Sequence, residues 1–134
     1  MNRAASTFVL FLSVLLCGCG NKTCSVHGRV TFADGTPAKE LSGYMVSFQS
    51  DEQKVSARGT IQSHGSFTVE TFQPGDGAVP GKHKVAITPP PPVIDMPIPP
   101  PLIDKRYHGF DTSNLEVTIT SGKNEPVLKV ERVK

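Results

Sequence analysis

Tryptophan is absent from this 134-residue chain, and tyrosine occurs only twice. This scarcity disfavours a surface that stacks sugar rings on a row of aromatic side chains. The net charge is also low, at +2, because 14 lysine and arginine residues nearly balance 12 aspartate and glutamate residues. The chain therefore lacks the positive field that attracts nucleic acid. No segment has the apolar stripe of a helix, whereas 12 glycines and 12 prolines interrupt the chain often. Glycine and proline at such short intervals favour short strands joined by turns.

Cysteine is limited to Cys17, Cys19 and Cys24, all near the N-terminus. A disulfide framework would spread its cysteines through the fold, so none is predicted. Cys24 is expected to be a free thiol beside the N-terminal segment. An intermolecular disulfide through Cys24 is the alternative.

The first 19 residues have the three-part layout of an export signal. Arg3 supplies a positive charge, and residues 8–16 form an apolar run. This run is much shorter than the ~20 residues that a membrane-spanning helix needs. The end of the segment, Leu-Cys-Gly-Cys, resembles the bacterial lipobox, although Cys17 stands where alanine, serine or threonine is usual. The resemblance implies cleavage before Cys19 and attachment of lipid to its thiol.

The lipobox predicts three parts of the chain: a signal peptide at 1–18, a lipidated tether at 19–24 and a folded domain at 25–134. Lipid on Cys19 would hold the protein at the cell envelope, facing the periplasm or the exterior, because two or more acyl chains anchor a protein stably. Gly20 follows the cysteine, where aspartate retains some lipoproteins in the inner membrane, so the outer membrane is slightly favoured.

Apolar and polar residues alternate in about seven segments of the mature chain. Such strands have one apolar and one polar face, and two sheets can bury their apolar faces against each other. The sequence therefore predicts an all-β, seven-stranded antiparallel β-sandwich, with a small closed barrel as the alternative. The predicted strands cover residues 26–32, 43–50, 55–62, 66–71, 83–88, 115–120 and 128–131.

A proline-rich loop is predicted over residues 89–114. Its first part reads PPPPVIDMPIPPPL, and proline runs favour extended polyproline structure that cannot form a central strand. Loops of this length are usually functional or disordered. Because the loop also contains apolar residues, part of it is expected to lie on the sandwich, as a structural cover or as a lip that binds a partner.

Several motifs resemble the carboxypeptidase regulatory-like domains. V-H-G-R-V-T at 26–31 and D-G-T-P at 34–37 resemble the opening of these domains, and residues 59–69 resemble their next hairpin. D-G-A-V-P-G-K-H-K-V at 76–85 is similar to a segment of small lipoproteins of planctomycete-type bacteria, with His83 in place of the usual tyrosine. The resemblance implies a transthyretin-like sandwich and a non-catalytic accessory or envelope role, without peptidase activity.

Catalytic, metal-binding and cofactor-binding residues are not predicted at any position. The four histidines occur singly, without the spacing of a zinc site, and no G-x-S-x-G motif is present. Asp76 lies between glycines and is expected to form a turn, with a calcium ligand as the alternative. His83 and His108 could meet in space, which would make the protein an enzyme or metal carrier of the periplasmic side.

The sequence therefore predicts a lipid-anchored, non-enzymatic module that binds or supports another envelope component. The expected partners are the membrane, through Cys19, and an unidentified envelope protein or glycan, without nucleic acid. The exposed strand edges and the proline-rich loop are the expected contact surfaces. A packing element of a larger envelope assembly is a third interpretation.

Overall fold

The computed structural model describes residues 22–134. The predicted signal peptide at 1–18 and the predicted lipid site at Cys19 lie outside these residues. In the described part of the chain, no helix has the length and apolar character needed to cross a membrane. The seven strands are β1 His27–Phe32, β2 Met45–Ser50, β3 Val55–Thr60, β4 Ser66–Thr68, β5 Gly81–Thr88, β6 Leu115–Ile119 and β7 Val127–Val130. Two short 3-10 helices cover Lys39–Leu41 and Lys105–His108.

The strands form two sheets. One sheet has three strands in the order β4-β1-β7, and the other has four in the order β3-β2-β5-β6. The predicted all-β class and the seven strands are confirmed, and each strand lies in or within two residues of its predicted segment. The antiparallel prediction holds for the pairs β1–β4, β2–β3, β2–β5 and β5–β6, but it is wrong for β1–β7, which is parallel.

The parallel pair results from the way the chain leaves β6. Residues 120–126 do not fold β7 back onto β6 as a hairpin would, but carry the chain across to the other sheet. Asn124 fixes this crossing, because its side-chain amide donates to the carbonyls of Ser25, Thr120 and Gly122. β7 then starts beside the start of β1, so the two strands run in the same direction.

Apolar side chains from both sheets meet in one core. Phe48 of β2 and Phe67 of β4 lie edge to face, with ring centroids 6.0 Å apart. Burying a large apolar side chain fully stabilises the fold by about 1.5–3 kcal/mol. The largest fully buried side chains include Phe32, Phe48, Phe67, Leu41, Ile61, Ile87, Ile103 and Ile119. The two-layer arrangement predicted from the alternating segments is consistent with this shared core.

Strands β3 and β4, one from each sheet, approach each other closely. Gly59 has no side chain there, and a Cβ atom built on it would lie only 1.7 Å from the carbonyl oxygen of Thr68. Just beyond β4, Arg58 and Glu70 exchange backbone hydrogen bonds of 2.9 Å. Glycine is therefore required at position 59, because any larger residue would push β3 away from the neighbouring segment.

Cys24 belongs to the folded domain and not to the predicted tether. Its backbone N–H donates to Ala78 O over 2.8 Å, and the Ala78 N–H donates to Cys24 O over 3.0 Å. The thiol is free and buried in the core, where cysteine behaves as a small apolar residue. Among the described residues, backbone pairing and burial therefore start at Cys24, one residue before the predicted domain boundary at 25.

The fold has two distinct ends. At the proximal end Cys24 pairs with Ala78, three residues before β5 starts at Gly81. At the distal end β5 finishes at Thr88, which pairs with Met45 at the start of β2. Because a strand rises about 3.3 Å per residue, the eight residues of β5 separate the two ends by about 25 Å.

Candidate binding surfaces

The proline loop, defined here as residues 89–102, is the most exposed apolar segment of the described chain. Every residue in it is exposed. The expectation that part of the longer loop lies on the sheets holds only from Ile103 onward, which is 1% exposed and pairs with Arg132 after β7. The apolar side chains from Val93 to Ile98 therefore stay in solvent, whereas Leu102, at 37% exposure, is partly covered.

A shallow open cavity of about 330 Å³ lies beside the second 3-10 helix and β7. One guanidinium nitrogen of Arg106 donates to the Tyr107 hydroxyl over 2.8 Å and to a Glu131 carboxylate oxygen over 3.1 Å. The Tyr107 hydroxyl also accepts the Glu131 N–H over 3.0 Å. These contacts lock Tyr107 in place beside the cavity.

A second cavity, of about 350 Å³, lies at the proximal end between Thr23, Phe72, Gln73 and Asp76. The Asp76 carboxylate accepts backbone N–H groups from Thr71 over 2.7 Å, Phe72 over 3.0 Å and Gln73 over 3.1 Å. Desolvation raises the pKa of Asp76, but these three N–H donors outweigh it and hold the pKa below its usual value. The Asp76 carboxylate therefore stabilises the turn, as the sequence predicts.

The histidines lie in four different settings. His27 is exposed on β1, with its Nε2 3.0 Å from Ser25 Oγ, and His64 lies in the exposed turn before β4, with its Nδ1 3.2 Å from Ser63 Oγ. His108 ends the second 3-10 helix and is partly buried. No group of three or more histidine, cysteine, aspartate or glutamate residues is arranged to hold a metal ion anywhere in residues 22–134.

His83 is the one buried histidine among the described residues. It is only 1% exposed, as its predicted inward position on β5 requires. Its Nε2 lies 2.8 Å from Val79 O, in the loop before β5, and its ring lies 5.9 Å from that of Phe48. Nδ1 has no hydrogen-bond partner, so the imidazole shares no hydrogen bond with His108. This geometry suits a core residue that fastens the preceding loop.

Comparison of the chain with protein-family models, curated proteins and solved structures finds no match. The function must therefore be inferred from the residues and from the geometry of the surfaces.

Two anchoring residues were missed at the level of sequence. Asn124 is 7% exposed and connects the crossing after β6 to Ser25, 99 residues earlier in the chain. The Arg132 guanidinium lies 3.6 Å from the centroid of the Phe32 ring and 3.4 Å from carboxylates of Asp34 and Glu40. No sequence signal marks either role, because both depend on contacts between residues that lie far apart in the chain.

Proposed function

We propose that this protein is a lipid-anchored β-sandwich of the cell envelope, with a binding or structural accessory role and no catalytic activity of its own. The observation that carries the proposal is the short distance along the chain between the lipobox cysteine and the fold. Within residues 22–134, Cys24 is the first that pairs with the domain. Five residues span at most about 18 Å, so acyl chains on Cys19 would hold the proximal end near the bilayer.

The sheet arrangement supports the same proposal. Two sheets of three and four strands with one shared core are compatible with the transthyretin-like sandwich that the motifs at 26–37 and 76–85 resemble. The family resemblance implies an accessory domain. The first glycine of the D-G-A-V-P-G segment serves structure here, because a Cβ atom on Gly77 would lie 1.8 Å from Cys24 O.

The alternative, an enzyme or metal carrier using His83 and His108, has weaker support. Such a role needs two imidazoles that reach a common ligand. The His83 ring is 1% exposed and its Nε2 is engaged with a backbone carbonyl. A ligand would therefore have to displace part of the core before it could reach this side chain.

Metabolic labelling with an alkyne analogue of palmitate tests the anchor. The wild-type chain is expected to take up the label and to sediment with membranes. Cys19→Ser is expected to lose both properties, because serine offers no thiol for the acyl donor. Cys17→Ser is the matched control, since it changes the neighbouring cysteine of the same motif, and it is expected to keep the label.

Absence of label from the wild-type chain would remove the anchor from the proposal. Label that persists in Cys19→Ser would show that the lipid is attached to another residue. The binding role is tested separately, by cross-linking in intact envelopes as described in the next section.

A further inference from the structure

The proline loop presents five large apolar side chains to solvent; Leu102, at its base, is 37% exposed, and the other four are far more exposed. Val93 is 63% exposed, Ile94 88%, Met96 64% and Ile98 80%. Large apolar side chains gathered in one exposed segment mark an interaction site more often than isolated ones do. Eight of the twelve prolines of the whole chain lie in the same 14 residues.

Proline explains why these side chains remain outside the core. A proline has no N–H to donate to a neighbouring strand, and its ring fixes φ near the extended values. Residues 89–92 and 97–101 therefore form two stiff arms. A tight turn joins them, in which the Met96 N–H donates to Val93 O over 3.2 Å and Asp95 has a φ of 65°. Ile94 and Met96 lie at this tip.

The base of the loop is held firmly at the distal end. Thr88 pairs with Met45 on one side. On the other side Ile103 pairs with Arg132, and the Val133 N–H donates to Leu102 O over 3.1 Å. The loop thus projects from the end of the fold that lies about 25 Å from Cys24.

We propose that the proline loop is the partner-binding element, and that it docks into a groove lined with aromatic side chains on another protein. Proline-rich segments bind such grooves because they are already extended and lose little conformational entropy on binding. Pro97 and Pro100 have the P-x-x-P spacing that such grooves accept. The unpaired carbonyls of the arms can accept hydrogen bonds from tryptophan N–H or tyrosine O–H groups of the groove.

The composition of the loop argues against a lipid surface as its ligand. Asp95 is its single ionisable side chain, and it has no lysine, arginine or aromatic residue. Segments that lie in a membrane interface usually combine basic residues with tryptophan, phenylalanine or leucine. In the anchored orientation the loop also points away from the bilayer at the proximal end.

A second copy of the chain does not offer a suitable groove. Tryptophan is absent, and both tyrosines are buried, Tyr44 at 9% and Tyr107 at 3% exposure. Among the described residues Phe72 is the one large aromatic side chain that is well exposed, at 51%, and a single ring does not line a groove. The aromatic side chains that receive the loop must therefore belong to a different protein. This inference deepens the proposed binding role and rests on it.

Site-specific photo-cross-linking in intact envelopes of the producing bacterium tests the inference with the full chain. The photo-reactive residue p-benzoylphenylalanine replaces Met96 at the loop tip, which leaves both isoleucines in place. Two comparison positions carry the same residue on the exposed edges of the four-stranded sheet, Ser56 on β3 and Thr118 on β6. Palmitate labelling of the same cultures reports the anchor independently.

Variants made in the background of the position-96 probe separate the apolar contacts from the stiffness of the arms. Ile94→Ser with Ile98→Ser removes the apolar contacts, and Pro99→Gly with Pro100→Gly loosens one arm. Each pair is expected to lower the yield of the protein adduct by about tenfold or more. Phe72→Ser is the control, because it removes a comparably exposed apolar side chain at the proximal end and is expected to leave the yield unchanged.

The expected result is that the probe at position 96 forms an adduct with one partner protein. The attachment site lies within a few residues of a tryptophan, tyrosine or phenylalanine of that partner, and both loop variants lower the yield of the adduct. A phospholipid adduct, an adduct with a second copy, or a protein adduct that survives the isoleucine variant would overturn the inference. Protein adducts only from positions 56 or 118 would overturn it while leaving the binding role intact. Absence of protein adducts at all three positions would contradict both.

Discussion

Two apolar regions of this molecule differ completely in their burial. Ile87, at the distal half of β5, is completely buried, whereas Ile94, seven residues later in the proline loop, is 88% exposed. Both regions are rich in aliphatic side chains, so hydrophobicity alone does not decide which of them joins the core.

The backbone N–H groups that are available for pairing explain this difference in burial. Strand β5 has amide groups that pair with β2 on one side and β6 on the other, so its side chains are carried into the core. The proline arms lack these donors and cannot extend the sheet. The apolar side chains of the proline loop consequently stay outside the core, where a partner can reach them.

The largest expected change in stability comes from replacing isoleucine by alanine in β5, and the same replacement in the proline loop is its counterpart. Ile87→Ala should lower the free energy of unfolding by about 2–5 kcal/mol, because it leaves a cavity in the core. Ile94→Ala should change it by less than about 0.5 kcal/mol, because the side chain has no packing to lose. Urea denaturation followed by circular dichroism measures both, and equal losses would abolish the distinction between the two regions.

Gly59→Ala probes the close approach within the folded region. Its Cβ would collide with the Thr68 carbonyl, so we expect a loss of about 1–3 kcal/mol of unfolding free energy. Gly122→Ala is the matched control, since a Cβ atom at that position would meet no atom within 4 Å and should be tolerated. Differential scanning calorimetry of the two variants makes the comparison. A Gly59→Ala protein as stable as wild type would show that β3 and β4 are less tightly apposed.

Asp76→Asn tests the turn at the proximal end. Loss of the charge weakens three backbone hydrogen bonds, so the variant should be less stable than wild type at pH 7. Because the folded pKa of Asp76 lies below the unfolded value of about 3.9, its contribution is present above that pH and disappears as the pH falls through the folded pKa. The stabilities of wild type and variant should therefore converge in acid.

Denaturation curves from neutral pH into acid measure this convergence. Asp95→Asn makes the same chemical change in the proline loop, at a positive φ that asparagine also accepts, and should have little effect on stability at neutral pH. A constant difference between wild type and Asp76→Asn at every pH would contradict the role given to the carboxylate.

The largest replacement in the chain is expected to change stability only slightly. Exchange of residues 90–100 for a Gly-Ser linker of equal length should change the unfolding free energy by less than about 1 kcal/mol, since no buried side chain is lost and only the greater freedom of the unfolded chain opposes folding. Thermal melting of the replaced chain against wild type checks this. A loss as large as that of Ile87→Ala would show that the loop supports the core.

The strands were predictable from the sequence because alternation of apolar and polar residues reports directly on a sheet with one buried face. The inward position of His83 followed from the same alternation, and the turn role of Asp76 followed from the glycines on either side of it. The parallel pairing of β7 with β1 did not, because it depends on a crossing that Asn124 fixes through a contact with Ser25. Local sequence carries no record of such distant contacts.

The loop was predictable in part. Its prolines excluded a central strand, but its apolar residues suggested contact with the sandwich. Of the aliphatic residues between 93 and 103, Ile103 is buried and Leu102 is partly covered, whereas Val93, Ile94 and Ile98 stay exposed. Whether a loop folds back depends on its stiffness and its direction at the base, and both are set by the surrounding pairs, such as Thr88 with Met45.

Hydrogen exchange of the isolated protein most directly tests the central claim that the packed fold ends where the proline loop begins. The account predicts that the amides of Ile94, Asp95 and Ile98 exchange at nearly unprotected rates, while those of Val85 and Ile87 in β5 are protected by several orders of magnitude. Protection of the loop amides comparable to that of β5 would contradict it, because the apolar side chains would then be part of the fold and not free for a partner.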